Sequence, residues 1–138
     1  MNAPITPIKV IDIPKIEDYR GNISVIEKEV LPYEVKRVYY LYDVPIGAVR
    51  GGHAHIAQYE FLVALSGSFD VVLNDGLNVT KVTLNRPNKG ILIPIGIWRE
   101  LEGFSSGAIC LVLASDVFDE DDYIRDFNDF LSYKINKK

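Results

Sequence analysis

The sequence predicts an all-β fold: a sandwich or barrel of antiparallel strands, with one α-helix at the C-terminus. Short runs rich in Val, Ile, Leu, Tyr and Phe recur at spacings of roughly 8–12 residues, with turn chemistry between them. No alternation of strand and helix patterns appears, which argues against a parallel α/β sheet. The chain changes character only at its end, where acids lead and lysines follow.

The strand candidates are 22–30 (NISVIEKEV), 34–44 (EVKRVYYLYDV), 58–65 (QYEFLVAL), 68–75 (SFDVVLND), 77–84 (LNVTKVTL), 90–98 (GILIPIGIW) and 107–115 (GAICLVLAS). Ser66-Gly67, Asp75-Gly76, Arg86-Pro87 and Glu102-Gly103 punctuate them. Asp75-Gly76 suits a two-residue hairpin, since both positions tolerate positive φ. In 77–84 the period is two but both faces are mixed, so the buried face stays open. In the C-terminal stretch, Asp119, Glu120, Asp121 and Asp122 precede Lys134, Lys137 and Lys138. That polarity matches a helix dipole, with the charges as solvated helix ends. Tyr123, Phe127, Phe130 and Leu131 form its apolar stripe, expected to pack on the outside of the barrel.

At 138 residues the chain reads as one domain, 1–138, long enough to bury a real core. Its net charge of −4 suggests no affinity for nucleic acid or membrane surfaces. A few local arginines can still hold a diphosphate. Cys110, the single cysteine, lies in an apolar run and is expected to be an inert buried thiol. The N-terminus does not read as a signal peptide, and no apolar run approaches the ~20 residues that span a bilayer. The expected location is cytoplasmic.

The stretch "GAVRGGHAHIAQYEFLVALSG" (47–67) holds both histidines of the chain. In a strand His53 and His55 project to the same side, which in a barrel can be the interior. Gly51 and Gly52 before them allow close approach to the backbone. Gly47, His53, His55, Glu60 and Gly67 follow the spacing of the first cupin motif, and "GILIPIGIWR" resembles the second. The resemblance implies a double-stranded β-helix, an antiparallel jelly-roll barrel. Metal-binding cupins carry a histidine where this chain has Arg99. A guanidinium offers only donors and cannot ligate a cation. His53, His55 and Glu60 alone could make a two-histidine, one-carboxylate centre, but Arg99 makes that costly. The expectation is therefore no metal and no cofactor.

More closely, the chain resembles the nucleoside-diphosphate-sugar 3,4-ketoisomerases of the cupin superfamily, the WxcM-like proteins. The resemblance rests on "DYRGNISVIE" (18–27), "VKRVYYLYDV" (35–44), "RGGHAH" (50–55), "FLVALSGSFDVVLNDG" (61–76), "IWREL" (97–101) and "SSGAICLVLASDVFDEDDYIRDFNDF" (105–130). These members act on dTDP-4-keto-6-deoxyglucose. The family usually has basic residues after the second histidine and a glutamine in the next strand. Here those positions read Ile56, Ala57 and Glu60.

The resemblance implies a substrate, a dTDP-linked 4-keto-6-deoxyhexose, and a reaction, transfer of the carbonyl from C4 to C3 through an enediol. Histidine suits such proton shuttling near neutrality. His53 is expected to be the base at C3 and His55 the relay, with the reverse assignment open. Tyr39 is the candidate donor to the oxyanion, with Tyr40 and Tyr42 as alternatives. Arg20, Arg37 and Arg50 are the diphosphate candidates, because an arginine fork matches phosphate oxygens. Trp98 and Arg99 are expected near the sugar, with Glu60. The family implies a homodimer and a role in making 3-aminosugars for surface polysaccharides such as O-antigen. Competing readings are a metal-dependent cupin oxygenase, a non-catalytic sugar-nucleotide binding module and a 3,5-epimerase.

Overall fold

The structure, a computed structural model, describes residues 8–136. Two five-stranded antiparallel sheets face each other. The first is ordered β1 (Lys9–Asp12), β9 (Lys89–Ile93), β6 (Glu60–Ser66), β11 (Ile109–Ala114), β4 (Arg37–Leu41). The second is ordered β12 (Tyr123–Ile124), β5 (Arg50–His55), β10 (Trp98–Glu102), β7 (Phe69–Asn74), β8 (Val79–Leu84). A two-stranded hairpin of β2 (Lys15–Ile16) and β3 (Ile23–Ser24) stands apart, and the helix α1 spans Phe127–Asn136. This is the all-β barrel with a C-terminal helix that the strand pattern predicts.

Alternation builds the core. Phe69, Val71 and Leu73 of β7 point inward while the residues between them are only half-buried. They meet Leu62 and Ala64 of β6, Cys110 and Val112 of β11, and Ile91 and Ile93 of β9. The other face of the first sheet is partly covered too. Phe61, Val63, Leu92 and Leu113 pack there against Ile13 and Leu31. Strand β6 is thus buried on both faces, which explains its unbroken apolar run. Burial pushes the Cys110 thiol up to about 12, as expected of an inert cysteine.

Several elements depart from the sequence reading. The segment 90–98 is two elements, because a turn at Pro94–Ile97 ends β9 before Trp98 opens β10. Gly96 sits there at φ +74° and donates its N–H to the His55 carbonyl at 2.8 Å. Only Ile23–Ser24 of 22–30 is strand, followed by a 3₁₀ turn at Lys28–Val30. The β7–β8 hairpin closes at Asn74 opposite Val79, so its loop has four residues rather than two. Asp75 Oδ1 accepts from the N–H groups of Leu77 and Asn78, an Asx-type turn that competes with the tighter one. On β8, Leu84 is buried and Val82 packs on the core, which decides its inward face.

The largest difference lies at the C-terminus. The acidic run is not a helix start: Glu120–Asp122 is a 3₁₀ turn, and Tyr123–Ile124 pairs with β5. The helix begins only after Asp126, whose Oδ1 accepts from Asp129 N–H at 3.0 Å as an N-cap. Phe130 is fully buried against Ala54 and Trp98, with Leu131 beside it. Lys134 Nζ donates to the Gly96 carbonyl at 2.9 Å, tying α1 to the β9–β10 turn. Lys137 and Lys138 lie outside the described residues. Among the described residues no helix is long and apolar enough to cross a membrane.

Candidate active site

Strand β5 carries the site because two glycines bend it. Gly51 and Gly52 sit at φ +91° and +64°, where a side chain would be strained. The ladder to β10 slips here: Arg99 faces His53, and the next residue, Glu100, faces Gly51. A Cβ at Gly51 would lie 3.2 Å from the Arg99 carbonyl, so the backbones meet closely. Such a bulge re-aims the residues that follow it. His53 and His55 then share one side, with ring centroids 4.8 Å apart.

A cleft of about 370 Å³ opens on this side, with Arg37, Tyr39, Arg50, His53, Glu60 and Arg99 in its wall. His53 lines it; fully buried His55 stands behind. The Nε2 atoms of the two rings are 3.1 Å apart. His55 Nδ1 lies 2.8 Å from Asp122 Oδ2 and its Nε2 lies 3.5 Å from Glu60 Oε1.

Glu60 is the hub on the opposite sheet. Arg99 Nη1 donates to its Oε1 at 2.7 Å, with both side chains 2% exposed. Tyr39 Oη donates to its Oε2 at 2.7 Å. Burial alone would raise the Glu60 carboxyl, but the hydrogen bond with His55, the Arg99 charge and Tyr39 together hold it down to about 2. Burial and the neighbouring carboxylate raise Tyr39, so it keeps the proton it donates. His53 is lowered to about 3, first by burial and then by the Arg99 charge. It therefore stands neutral, with a lone pair available.

Cations gather at the mouth. Arg37 stacks over the Tyr39 ring at 4.4 Å and the Phe118 ring at 5.2 Å. Arg125 stacks over Tyr123 at 4.2 Å and pairs with Glu120.

The fold thus brings together seven of the nine residues proposed from sequence. Two lie elsewhere. Trp98 points to the opposite face of β10 from Arg99, where its indole packs on Phe127 and Phe130 and donates to Glu100. Arg20 is exposed and held by Asp18, away from the cleft wall. Conversely, Asp122, Tyr123, Phe118 and Arg125 reach the site unforeseen. Tyr123 packs on both histidine rings. Asp122, Tyr123 and Arg125 fall in "DEDDYIRD", where the acids and aromatic spacing suit a helix but a turn and a strand form.

The ligand atoms of His53, His55 and Glu60 lie within 4.8 Å of one another, close enough to consider a divalent cation. The donor set does not suit one. A cation there would share Glu60 Oε1 with a fixed guanidinium 2.7 Å away, placing two like charges against one carboxylate oxygen in a dry setting.

Comparison with known proteins agrees with this architecture. The family profile described as "FdtA: WxcM-like, C-terminal" matches residues 6–135. A TDP-4-oxo-6-deoxy-alpha-D-glucose-3,4-oxoisomerase of Aneurinibacillus thermoaerophilus is 43% identical over 131 residues, covering 93% of this chain and 94% of that protein. A 3,4-ketoisomerase from Helicobacter canadensis superposes with a TM-score of 0.90 at 42% identity, covering 93% of this chain and 97% of the other. A histidine-to-asparagine mutant of the 3,4-ketoisomerase QdtA from Thermoanaerobacterium thermosaccharolyticum, in complex with TDP-4-keto-6-deoxyglucose, superposes with a TM-score of 0.91 at 32% identity. There 94% of each chain is covered. The chain belongs to the FdtA, WxcM-like family of cupin-fold sugar 3,4-ketoisomerases.

Proposed function

We propose that this protein moves the carbonyl of a dTDP-linked 4-keto-6-deoxyhexose from C4 to C3 by proton transfer alone. The observation that carries this reading is His53, a neutral imidazole on the cleft wall with a second histidine directly behind it. His53 takes the proton from C3, and the C4 carbonyl oxygen becomes that of an enediol as it gains a proton. The C3 hydroxyl then gives up its proton to become the new carbonyl, while C4 receives one. No net electron donor or acceptor is required. His55, with no face on the cleft, serves as the relay behind His53. Arg37 and Arg50 hold the diphosphate, and Arg99 and Glu60 set the electrostatics beneath the sugar. Tyr39 gives its one proton to Glu60 Oε2 and so orients that carboxylate beneath the sugar, rather than serving the oxyanion directly. Arg20, paired with Asp18 outside the cleft wall, takes no part in these contacts. Trp98, on the opposite face of β10, packs under α1 and takes no direct part in the cleft. A 3-keto sugar offers the carbonyl that amination at C3 consumes, so the proposed place of the enzyme is before a 3-aminosugar.

Proton NMR in D₂O of metal-stripped protein with dTDP-4-keto-6-deoxyglucose tests the proposal. The expected result is a 3-keto sugar deuterated at C4, whose coupling also gives the C4 configuration. Exchange at C3 without isomer favours an epimerase. Activity that appears only with Fe(II) favours the oxygenase, and binding without exchange favours the binding module.

A homodimer belongs to the same proposal. Val38 and Tyr40 of β4 and Leu65 of β6 are exposed on the outer face of the first sheet, beside a groove of about 590 Å³ whose lining includes Val63, Leu111 and Leu113. Light scattering is expected to give twice the 15.5 kDa chain mass. A Val38→Lys/Tyr40→Lys variant is expected to shift toward the monomer, and an unchanged monomeric mass for both proteins refutes the pairing.

A further inference from the structure

Asp122 has no place in the reaction as sequence reasoning drew it, yet it is built into the relay. Its carboxylate is 8% exposed and reaches His55 from a turn 67 positions later in the chain. Oδ1 accepts from the backbone N–H groups of Ile56 at 3.1 Å and Ala57 at 2.6 Å. Oδ2 lies 2.8 Å from His55 Nδ1, and Gln58 Nε2 approaches it at 3.3 Å. A carboxylate oxygen in such a position only accepts, so Nδ1 of His55 must carry a proton. The other nitrogen, Nε2, is then the one that exchanges protons, and it is the one facing His53 and Glu60.

We propose that Asp122 is a positioning residue of the isomerase: it locks His55 in the Nδ1–H form so that Nε2 can both take a proton from His53 and return it. The inference rests on the isomerase reading. Neither histidine could settle this alone, because an imidazole without a partner at Nδ1 exchanges freely between its two neutral forms.

The structure also says what an Asp122→Asn variant must do. The Ile56 and Ala57 N–H groups hold the amide oxygen in the Oδ1 position, so the amide nitrogen falls opposite His55 Nδ1. That nitrogen donates, which forces the His55 proton onto Nε2. Gln58 can accommodate the change by turning over, since its Oε1 is buried with no hydrogen-bond partner among the described residues. The variant therefore keeps its packing and loses its tautomer.

The test combines turnover with a direct view of the proton. Asp122→Asn is expected to lower kcat by about 10²–10⁴-fold, the upper figure being the effect of a reversed histidine tautomer in a Ser-His-Asp triad. KM should stay within about threefold. In a His55→Asn background the same change should cost nothing further, whereas a purely structural role would add its loss again. Long-range ¹H–¹⁵N spectra of the wild-type protein should show the His55 Nδ1–H, and those of Asp122→Asn the Nε2–H form. The spectrum of the wild-type protein needs no variant to fold. The proposal is overturned by a wild-type His55 without the Nδ1 proton, by a variant kcat within threefold of wild type, or by full additivity with His55→Asn. A wild-type protein that turns over no 4-keto sugar overturns the isomerase reading instead.

Discussion

His53→Asn should lower the isomerisation rate by about 10²–10⁴-fold, the usual worth of a positioned acid or base, while leaving TDP affinity within about threefold. Asparagine keeps the polar volume of the side chain but has no lone pair basic enough to take a carbon-bound proton. The same variant should stop deuterium entry at C3, which separates loss of the base from loss of a later step. Calorimetry with TDP and NMR in D₂O provide both readouts. A variant that retains a tenth of the wild-type rate would transfer the role of base to His55. The pH dependence follows from the same environment. His53 is held at about 3 by burial and the Arg99 charge, so its neutral form dominates at all higher pH. Protonation of His53 should therefore produce no acid limb in kcat/KM between pH 5 and 8.

Glu60→Leu should destabilise the fold by about 3–5 kcal/mol, since it leaves the Arg99 guanidinium buried without a counter-charge. For a chain of this size that corresponds to a fall in Tm of roughly 10 °C or more. The pH dependence has a definite sign. The folded carboxyl is depressed from an ordinary 4.5 to about 2, a difference of roughly 3 kcal/mol. That stabilisation is complete above about pH 4.5 and is lost as pH falls through about 2. Thermal melts followed by circular dichroism between pH 3 and 8 would show the wild type losing more than the variant on acidification. Adding Arg99→Met to Glu60→Leu should recover much of the loss, because a buried ion pair replaced as a unit often costs little. A single variant within 1 kcal/mol of wild type would mean that water or another carboxylate serves Arg99.

The reach of the sequence can be seen at particular residues. The alternation of Phe69, Val71 and Leu73 is a local property, and it marks β7 without any knowledge of its neighbours. So does the spacing of His53 and His55, which put both rings on one side of β5. The cupin spacing and the family motifs carried the fold, and Arg37, Tyr39, Arg50, Glu60 and Arg99 line one cleft in it. Even Arg99 opposite Glu60 was legible as an obstacle to a metal, since its chemistry forbids ligation wherever it sits.

The rest depended on long-range pairing. Trp98 and Arg99 are adjacent in sequence, and only the side of β10 that faces the cleft decides that one packs under the helix while the other meets Glu60. By sequence Asp122 resembles one of four solvated acids, because it closes the run Asp119–Glu120–Asp121–Asp122. What turns it inward is Tyr123 pairing with His55, a contact made across the sheet edge. Composition along the chain thus determined strands, the interior face of β5 and the kind of chemistry available. Which carboxylate orients which histidine was decided by the tertiary structure, because a hydrogen bond at 2.8 Å between residues 67 apart leaves no periodic trace in either local segment.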